Sequence, residues 1–443
     1  MPLRQFDERN GLTRQFAAAL DDPRDPELTE HTFAEMVRSR VFGILAGYED
    51  QNDHDTLRTD PVFKLLAGRS PRDHDLASQP TLSRFENRIN IRSLFRLRAV
   101  FVEQFIASFA RPPLCLTFDL DAVDDPTHGS QQLSLFHGFY DQYQYLPLVV
   151  TSADTDQVVL LSLRHGTATA WLGADDDLEY LVTRLRAVWP DVRILARGDA
   201  GFGKPVMLEA CERLGVEYTF GLSANPVLQR ESEDLLAAAV GGWEETHEPQ
   251  RRFAAFAYQA ESWPAPRRVI VKAEANAQGT NRRFVVTNRA GAPVCPEAMY
   301  DEYAMRGESE NRNKELKCGL GIDRLSDHRF MANLFRMYLH AAAANLLVRL
   351  RREIADPPPL PPGETAAGAE RKRYHNARRR RDPLGEGQPA TWRMLLIKAA
   401  ASVLVSCRRI VVRLSGSWPN RNYFEAVCRH VRRRPAVAHF WAG

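Results

Sequence analysis

The chain has 443 residues, 44% hydrophobic and 26% charged, with 59 Lys and Arg against 56 Asp and Glu and a formal net charge of +3. That composition excludes a disordered or collagen-like polymer, and so small a net charge excludes recognition of a polyanion by bulk charge alone. The length allows a large buried core divided into about two to four domains.

Apolar residues recur at helical spacing from Thr32 to Tyr48 and from Thr81 to Ala110, with Pro80 suited to a helix start. Residues 1–112 therefore read as a helical N-terminal region, the expected place for DNA binding. Within it Arg84, Arg88, Arg92 and Arg96 recur every fourth residue as a drifting basic ridge able to track phosphates, or as a plainly solvated face.

From Leu114 onward short β-rich runs take over. LCLTFDLD, YLPLVVTS and QVVLLSLR predict three strands, and Asp175 to Trp189 a helix ended by Pro190. VRILARGD predicts a fourth strand, Pro205 to Leu214 a second helix and VEYTFGLS a fifth strand. The order βββαβαβ over residues 113–223 matches an RNase H-like core, so the expected class is α/β. Residues 224–300 read as an inserted β-rich subdomain, in which RRVIVKAEA and RRFVVTNRA flank the turn NAQGTN as a hairpin. A helix carrying Tyr303 to Lys317, backed by a second amphipathic helix from about Phe330 to Arg352, fills residues 301–353 and returns to the core. PPPLPPGE and RKRYHNARRRR make residues 354–390 a Pro-rich and basic linker, whose Arg378, Arg379, Arg380 and Arg381 read as solvated charge or as non-specific DNA contacts. Residues 391–443 are expected to be a basic C-terminal region with a helix from Thr391 to Arg413.

The six cysteines form no C-x-x-C pair, as expected of a reducing compartment. The first residues lack the apolar core of a signal peptide, and the apolar run near Ala399 to Val405 is bounded by Lys398 and Arg408, so no membrane partner is expected.

Chemistry concentrates at three places. In LCLTFDLD the alternation of a strand puts Leu114, Leu116, Phe118 and Leu120 on one side and Asp119 and Asp121 on the other. Two like charges on one face call for a compensating cation, unless Asp121 with Asp124 and Asp125 merely opens a polar turn. Asp199 follows the apolar run Val192 to Ala196, in RGDAGFG, where glycines Gly198, Gly201 and Gly203 allow a sharp turn. Tyr303, Arg306, Glu310 and Lys317 stand at offsets that, at about 100° per residue, fall within roughly 60° around one helix. The plain alternative there is an exposed ion-pair helix, since Arg306 and Glu310 are a favourable i,i+4 pair. Together the acids compose a three-carboxylate site of hard oxygen donors, suited to Mg2+ or Mn2+, and two such ions about 3.5–4 Å apart serve phosphodiester chemistry. The dispersed His128, His137 and His165 offer no zinc spacing.

The pattern Y-x2-R-x3-E-x6-K resembles the signature of DDE transposases of the insertion-sequence-four superfamily. DLDAVDDPTHGSQ, FHGFYDQYQYLPL, ILARGDAGF and YAMRGESENRNKELK, with DPVFKLLAGR, DLASQPTLSRFEN and RLSGSWPNRNYF, are similar to segments of the insertion-sequence family numbered 1380. The resemblance implies an RNase H-like core with an inserted β domain, two divalent ions, cleavage at transposon ends and transfer of the 3′-hydroxyl into target DNA. It also implies double-stranded DNA as partner, a homodimer in the synaptic complex and a cytoplasmic, nucleoid-associated bacterial protein. By position it makes Asp199 the second metal-binding acid and Glu310 the third, with Asp121 favoured over Asp119 as the first, although Val123 stands where the family has threonine. Arg306 and Lys317 would hold phosphates and Tyr303 would hydrogen-bond or stack beside them. Trp263 reads as a core residue or as a stacking platform for a flipped base. Two rivals remain: a nuclease of the same fold without strand transfer, and an inactive DNA-binding regulator.

Overall fold

The computed structural model describes residues 1–289, 295–355, 384–385 and 387–433. The early helical spacing is realised in α1 (Phe33–Ala46), α2 (Gln79–Arg88) and α3 (Ile91–Ile106). Between α2 and α3 the chain becomes extended at Ile89, and Asn90 starts a new helix by accepting from the Ser93 amide at 2.8 Å. This break splits the expected basic ridge, leaving Arg84 and Arg88 on α2 and Arg92 and Arg96 on α3. All four are exposed, yet Arg96 is ion-paired with Asp21, and Arg92 and Arg88 also act on Asp21 and Asp22. The row is a partly neutralised surface rather than a bare positive stripe.

Alternating apolar residues then build the strands β1 (Cys115–Ala122), β2 (Leu148–Ser152), β3 (Val158–Ser162), β4 (Arg193–Gly198) and β5 (Glu217–Leu222). They lie in the order β3-β2-β1-β4-β5. β2 pairs antiparallel with both β3 and β1, and β4 and β5 run parallel to β1. Parallel neighbours need crossovers, which α4 (Ala174–Val188) and α5 (Pro205–Arg213) provide.

The segment expected as an inserted β-rich subdomain pairs with the main sheet. Helix α6 (Glu233–Thr246) precedes β6 (Gln250–Tyr258), β7 (Arg267–Asn276) and β8 (Gly279–Thr287), and β8 pairs antiparallel with β5 from Phe284 opposite Leu222 to Thr287 opposite Thr219. These three strands thus extend the main sheet to eight, ending β5-β8-β7-β6. Helix α6, unforeseen in a segment read as β-rich, sets Ala239 against Ala273 and Ala275 and packs Leu235, Leu236 and Trp243 on the same cluster, an apolar stripe at helical spacing. Trp263 is buried against Tyr258 and the Arg267 guanidinium, which places it in the core rather than at a base-stacking surface.

After α7 (Pro296–Ala304) and α8 (Gly307–Lys314) comes α9 (Phe330–Ile354). An amphipathic helix was expected there. It is instead buried on nearly every side, because the N-terminal helices and the sheet pack against it from different directions. Its polar residues are therefore paired. Asn345 accepts from the Val158 amide and donates to the Val158 carbonyl, each at 2.8 Å, which seals the outer edge of β3. Glu86 of α2 is fully buried between two arginines: Arg40 of α1 donates to one oxygen at 2.8 Å and Arg336 of α9 to the other.

The helix expected from Thr391 to Arg413 is short. A helical turn at Pro389–Trp392 and a π turn at Arg393–Ile397 give way to a hairpin of Ala401–Val405 with Ile410–Leu414, where β-branched residues favour strand. Arg378 to Arg381 and most of the expected linker lie outside the described residues. Among the described residues no helix is long and apolar enough to cross a membrane.

Removing one partner of a buried ion network strands the remaining charges, at a cost of about 3–5 kcal/mol. Glu86→Gln is expected to lower stability by that order in urea unfolding, since Arg40 then loses its counter-ion and Arg336 keeps only Asp327, at 3.6 Å. A change below about 1 kcal/mol would remove this network from the account of how the N-terminal helices are held.

Candidate active site

The site begins at two neighbouring parallel strands. The register pairs Asp119 with Arg197 and Leu120 with Gly198, so one step further along lie Asp121, near the end of β1, and Asp199, just past the end of β4. C-terminal ends of adjacent parallel strands are where open α/β sheets place ligands.

The two acids of β1 have different partners. Asp119 is buried, and both its oxygens are taken by Arg197, at 2.7 and 2.9 Å, while the same guanidinium donates to the Glu302 carbonyl at 2.8 Å. It is a cross-strand clamp. Asp121 accepts from Arg306 Nη1 at 2.8 Å on one oxygen, and on the other from Ser309 Oγ at 2.7 Å and Asn313 Nδ2 at 3.1 Å. Burial pushes its carboxyl above the usual range; Arg306, Ser309 and Asn313 oppose that rise, and Asp199 adds to it.

Tyr303, Arg306, Glu310 and Lys317 do not share one helix. Tyr303 ends α7, Arg306 precedes α8, Glu310 lies on α8, and Lys317 falls in a π turn spanning Glu315–Gly319. At the junction the Arg306 amide bonds back to the Tyr303 carbonyl at 2.9 Å, a three-residue step, just before Gly307. The break aims each side chain separately. Arg306 reaches Asp121 through Nη1 and exposed Glu310 through Nη2, at 3.4 Å, and its guanidinium carbon stands 6.0 Å from the Tyr303 ring centre. Burial, and then the Asp199 charge after the opposing Arg306, keep the Tyr303 phenol above its ordinary range. Lys317 turns elsewhere, donating to the Asp124 carbonyl at 2.7 Å and to its carboxylate at 3.1 Å. It belongs to the loop after β1, and no contact brings it to the carboxylates at Arg306.

Asp199 is exposed and accepts from the Gly201 amide at 2.8 Å. The nearby glycines serve close approach rather than a left-handed turn: none of Gly198, Gly201 and Gly203 has positive φ. A Cβ on Gly203 would stand 2.2 Å from the Gly221 carbonyl oxygen. One on Gly221 would stand 2.9 Å from the Tyr303 hydroxyl and 2.7 Å from the Ala200 amide, so bare backbone at Gly221 lets α7 close over the segment bearing Asp199.

The structure thus brings Asp121 and Glu310 to one guanidinium, leaves Asp199 near enough for its charge to act on Asp121 and Arg306, and assigns Asp119 to Arg197. Two contributors were missed in the sequence, Ser309 and Asn313. Their separation of four residues, three and seven beyond Arg306, marks one helical face.

Among the described residues no three Asp, Glu, His or Cys side chains stand close enough to hold an ion together. Arg306 is the cation shared by Asp121 and Glu310 here. The donors nevertheless suit a hard divalent ion in kind, because Asp121, Asp199 and Glu310 offer carboxylate oxygen only, and the charge on buried Asp121 is one that a bound cation would stabilise.

Asp119→Asn is expected to cost about 3–5 kcal/mol in denaturant unfolding, because buried Arg197 loses its counter-ion. Asp121→Asn should cost clearly less, since Arg306 keeps Glu310 as a counter-ion whereas Arg197 is left with no paired carboxylate. Equal losses would contradict this division between the two carboxylates of β1.

No curated protein matches the chain. Among solved structures it is similar to the piggyBac transposase synaptic complex with hairpin DNA, at 14% identity and a TM-score of 0.41, over 78% of this chain and 74% of that one. Residues 1–359 match the family described as Transposase DDE domain group 1, and the chain belongs to that family of DDE transposases.

Proposed function

We propose that the chain cuts DNA at transposon ends and transfers the freed 3′-hydroxyl to target DNA, on an RNase H-like core. The observation that carries this reading is the meeting of Asp121 and Glu310 at Arg306, beside Asp199. The strand order β3-β2-β1-β4-β5 supports it. Asp121, Asp199 and Glu310 would hold two Mg2+ or Mn2+ ions, which when bound supply the positive charge that activates an attacking hydroxyl and stabilises a departing oxygen.

The remaining roles follow from the contacts. Ser309 and Asn313 fix one oxygen of Asp121, so its carboxylate meets substrate in a set orientation. Arg306, once exchanged from Asp121, offers a planar fork to a phosphate. Tyr303 would orient the phosphodiester from the Asp199 side. Double-stranded DNA is the partner, two protomers would hold two ends in synapsis, and the exposed Arg84, Arg88, Arg92 and Arg96 would add salt-dependent phosphate contacts.

Labelled end duplex, Mg2+ and a second duplex test the reading: both a cut product and a joined product are expected. Glu310→Gln should lower cutting about 100-fold or more while sparing end binding. Cutting with no joined product would make the protein a nuclease, and unchanged cutting by Glu310→Gln would remove Glu310 from the chemistry.

A further inference from the structure

Just beyond Asp121 the chain buries a second acid that the proposed chemistry does not use. Asp125 is 2% exposed, and neither of its carboxylate oxygens has a hydrogen-bond partner. Asn313 is in a related position: its Nδ2 is given to Asp121, while its buried Oδ1 has no partner. Asp125, Asn313 and Asp323 line one cavity of about 10 Å³, room for about one water-sized occupant. Its other walls include the apolar Val123, Pro147, Val149, Leu316, Ile322 and Met337. A bare carboxylate in such surroundings is costly unless something positive or hydrogen-bonding meets it.

The one ammonium lining the cavity is already engaged, because Lys317 donates to both the carbonyl and the carboxylate of Asp124. Burial pushes the Asp125 carboxyl well above the usual range, and the charge of Asp323 pushes it further than Lys317 can offset. Two carboxylates and an amide oxygen with no softer donor are the ligand chemistry of Mg2+, Mn2+ or Ca2+, not of zinc. A divalent ion, able to balance two carboxylates at once, matches better than a monovalent one.

We propose that Asp125, Asp323 and the Asn313 side-chain oxygen form a binding site for one hard divalent cation, distinct from the three carboxylates near Arg306. An ion on Asn313 Oδ1 would fix that amide so that Nδ2 faces Asp121. The site would thereby position Asp121 without touching DNA. It goes beyond the proposed reaction and does not depend on it.

The test uses the full chain carrying Asp199→Asn and Glu310→Gln, two exposed substitutions that disable the proposed catalytic set without touching this cavity. Millimolar Ca2+ and Mg2+, added separately, are expected to raise its melting temperature by about 2 °C or more with at least one of the two. Adding Asp125→Asn, or the half-buried Asp323→Asn, should abolish that rise. No rise with either ion, or a rise surviving both added substitutions, overturns the site. Cutting of end DNA by the native chain reports on the transposase reading separately, so either can fail while the other stands.

Discussion

The local architecture depends on one guanidinium shared by two carboxylates. Asp121 is buried near the end of a central strand, where a lone charge is expensive, and Arg306 offsets that cost at 2.8 Å while its other nitrogen faces Glu310. The pair ties the end of β1 to the junction of α7 and α8. Because the helix breaks there, Tyr303 is released toward Gly221 and the Asp199 segment, while Glu310 stays on the far side of Arg306. A continuous helix would have stacked all four signature residues in one row, and Lys317 would not have reached Asp124.

The rest of the fold holds that junction still. Asp119 and Arg197 lock β1 to β4 two residues before the acids, and Arg197 also grips the Glu302 carbonyl at the end of α7. Behind the sheet, Asn345 closes its outer edge, and buried Glu86 binds α1 and α2 to α9 through two arginines. The N-terminal helices consequently share one core with α9 and the outer strands. Their exposed arginines are carried on the same packed body as the acids.

Much of the sheet was legible because alternation in single segments, such as Leu116, Phe118 and Leu120 around Asp119, is a local signal. The joining of β6, β7 and β8 to that sheet was not, since the pairing of Val285 with Gly221 is decided by residues far apart in the chain. Helical counting identified Arg306 and Glu310 as neighbours but missed the break beside Gly307 and the π turn, because an angle per residue assumes an unbroken hydrogen-bond ladder. Ser309 and Asn313 were overlooked for a different reason: uncharged residues between acids and bases stand out only once a buried partner is known. Val403 and Val412, facing each other in the C-terminal hairpin, show β-branched residues prevailing where a helix had been expected.

The central proposal is that Asp121 and Glu310 exchange Arg306 for metal ions, with Asp199 joining them, when DNA is bound. Anomalous scattering from Mn2+ in crystals of the chain with duplex DNA tests it most directly. The account predicts manganese bound to Asp121 together with Asp199 or Glu310, and Arg306 withdrawn from Asp121 toward a phosphate. Manganese absent from all three carboxylates, with Arg306 still closed on Asp121, would contradict it.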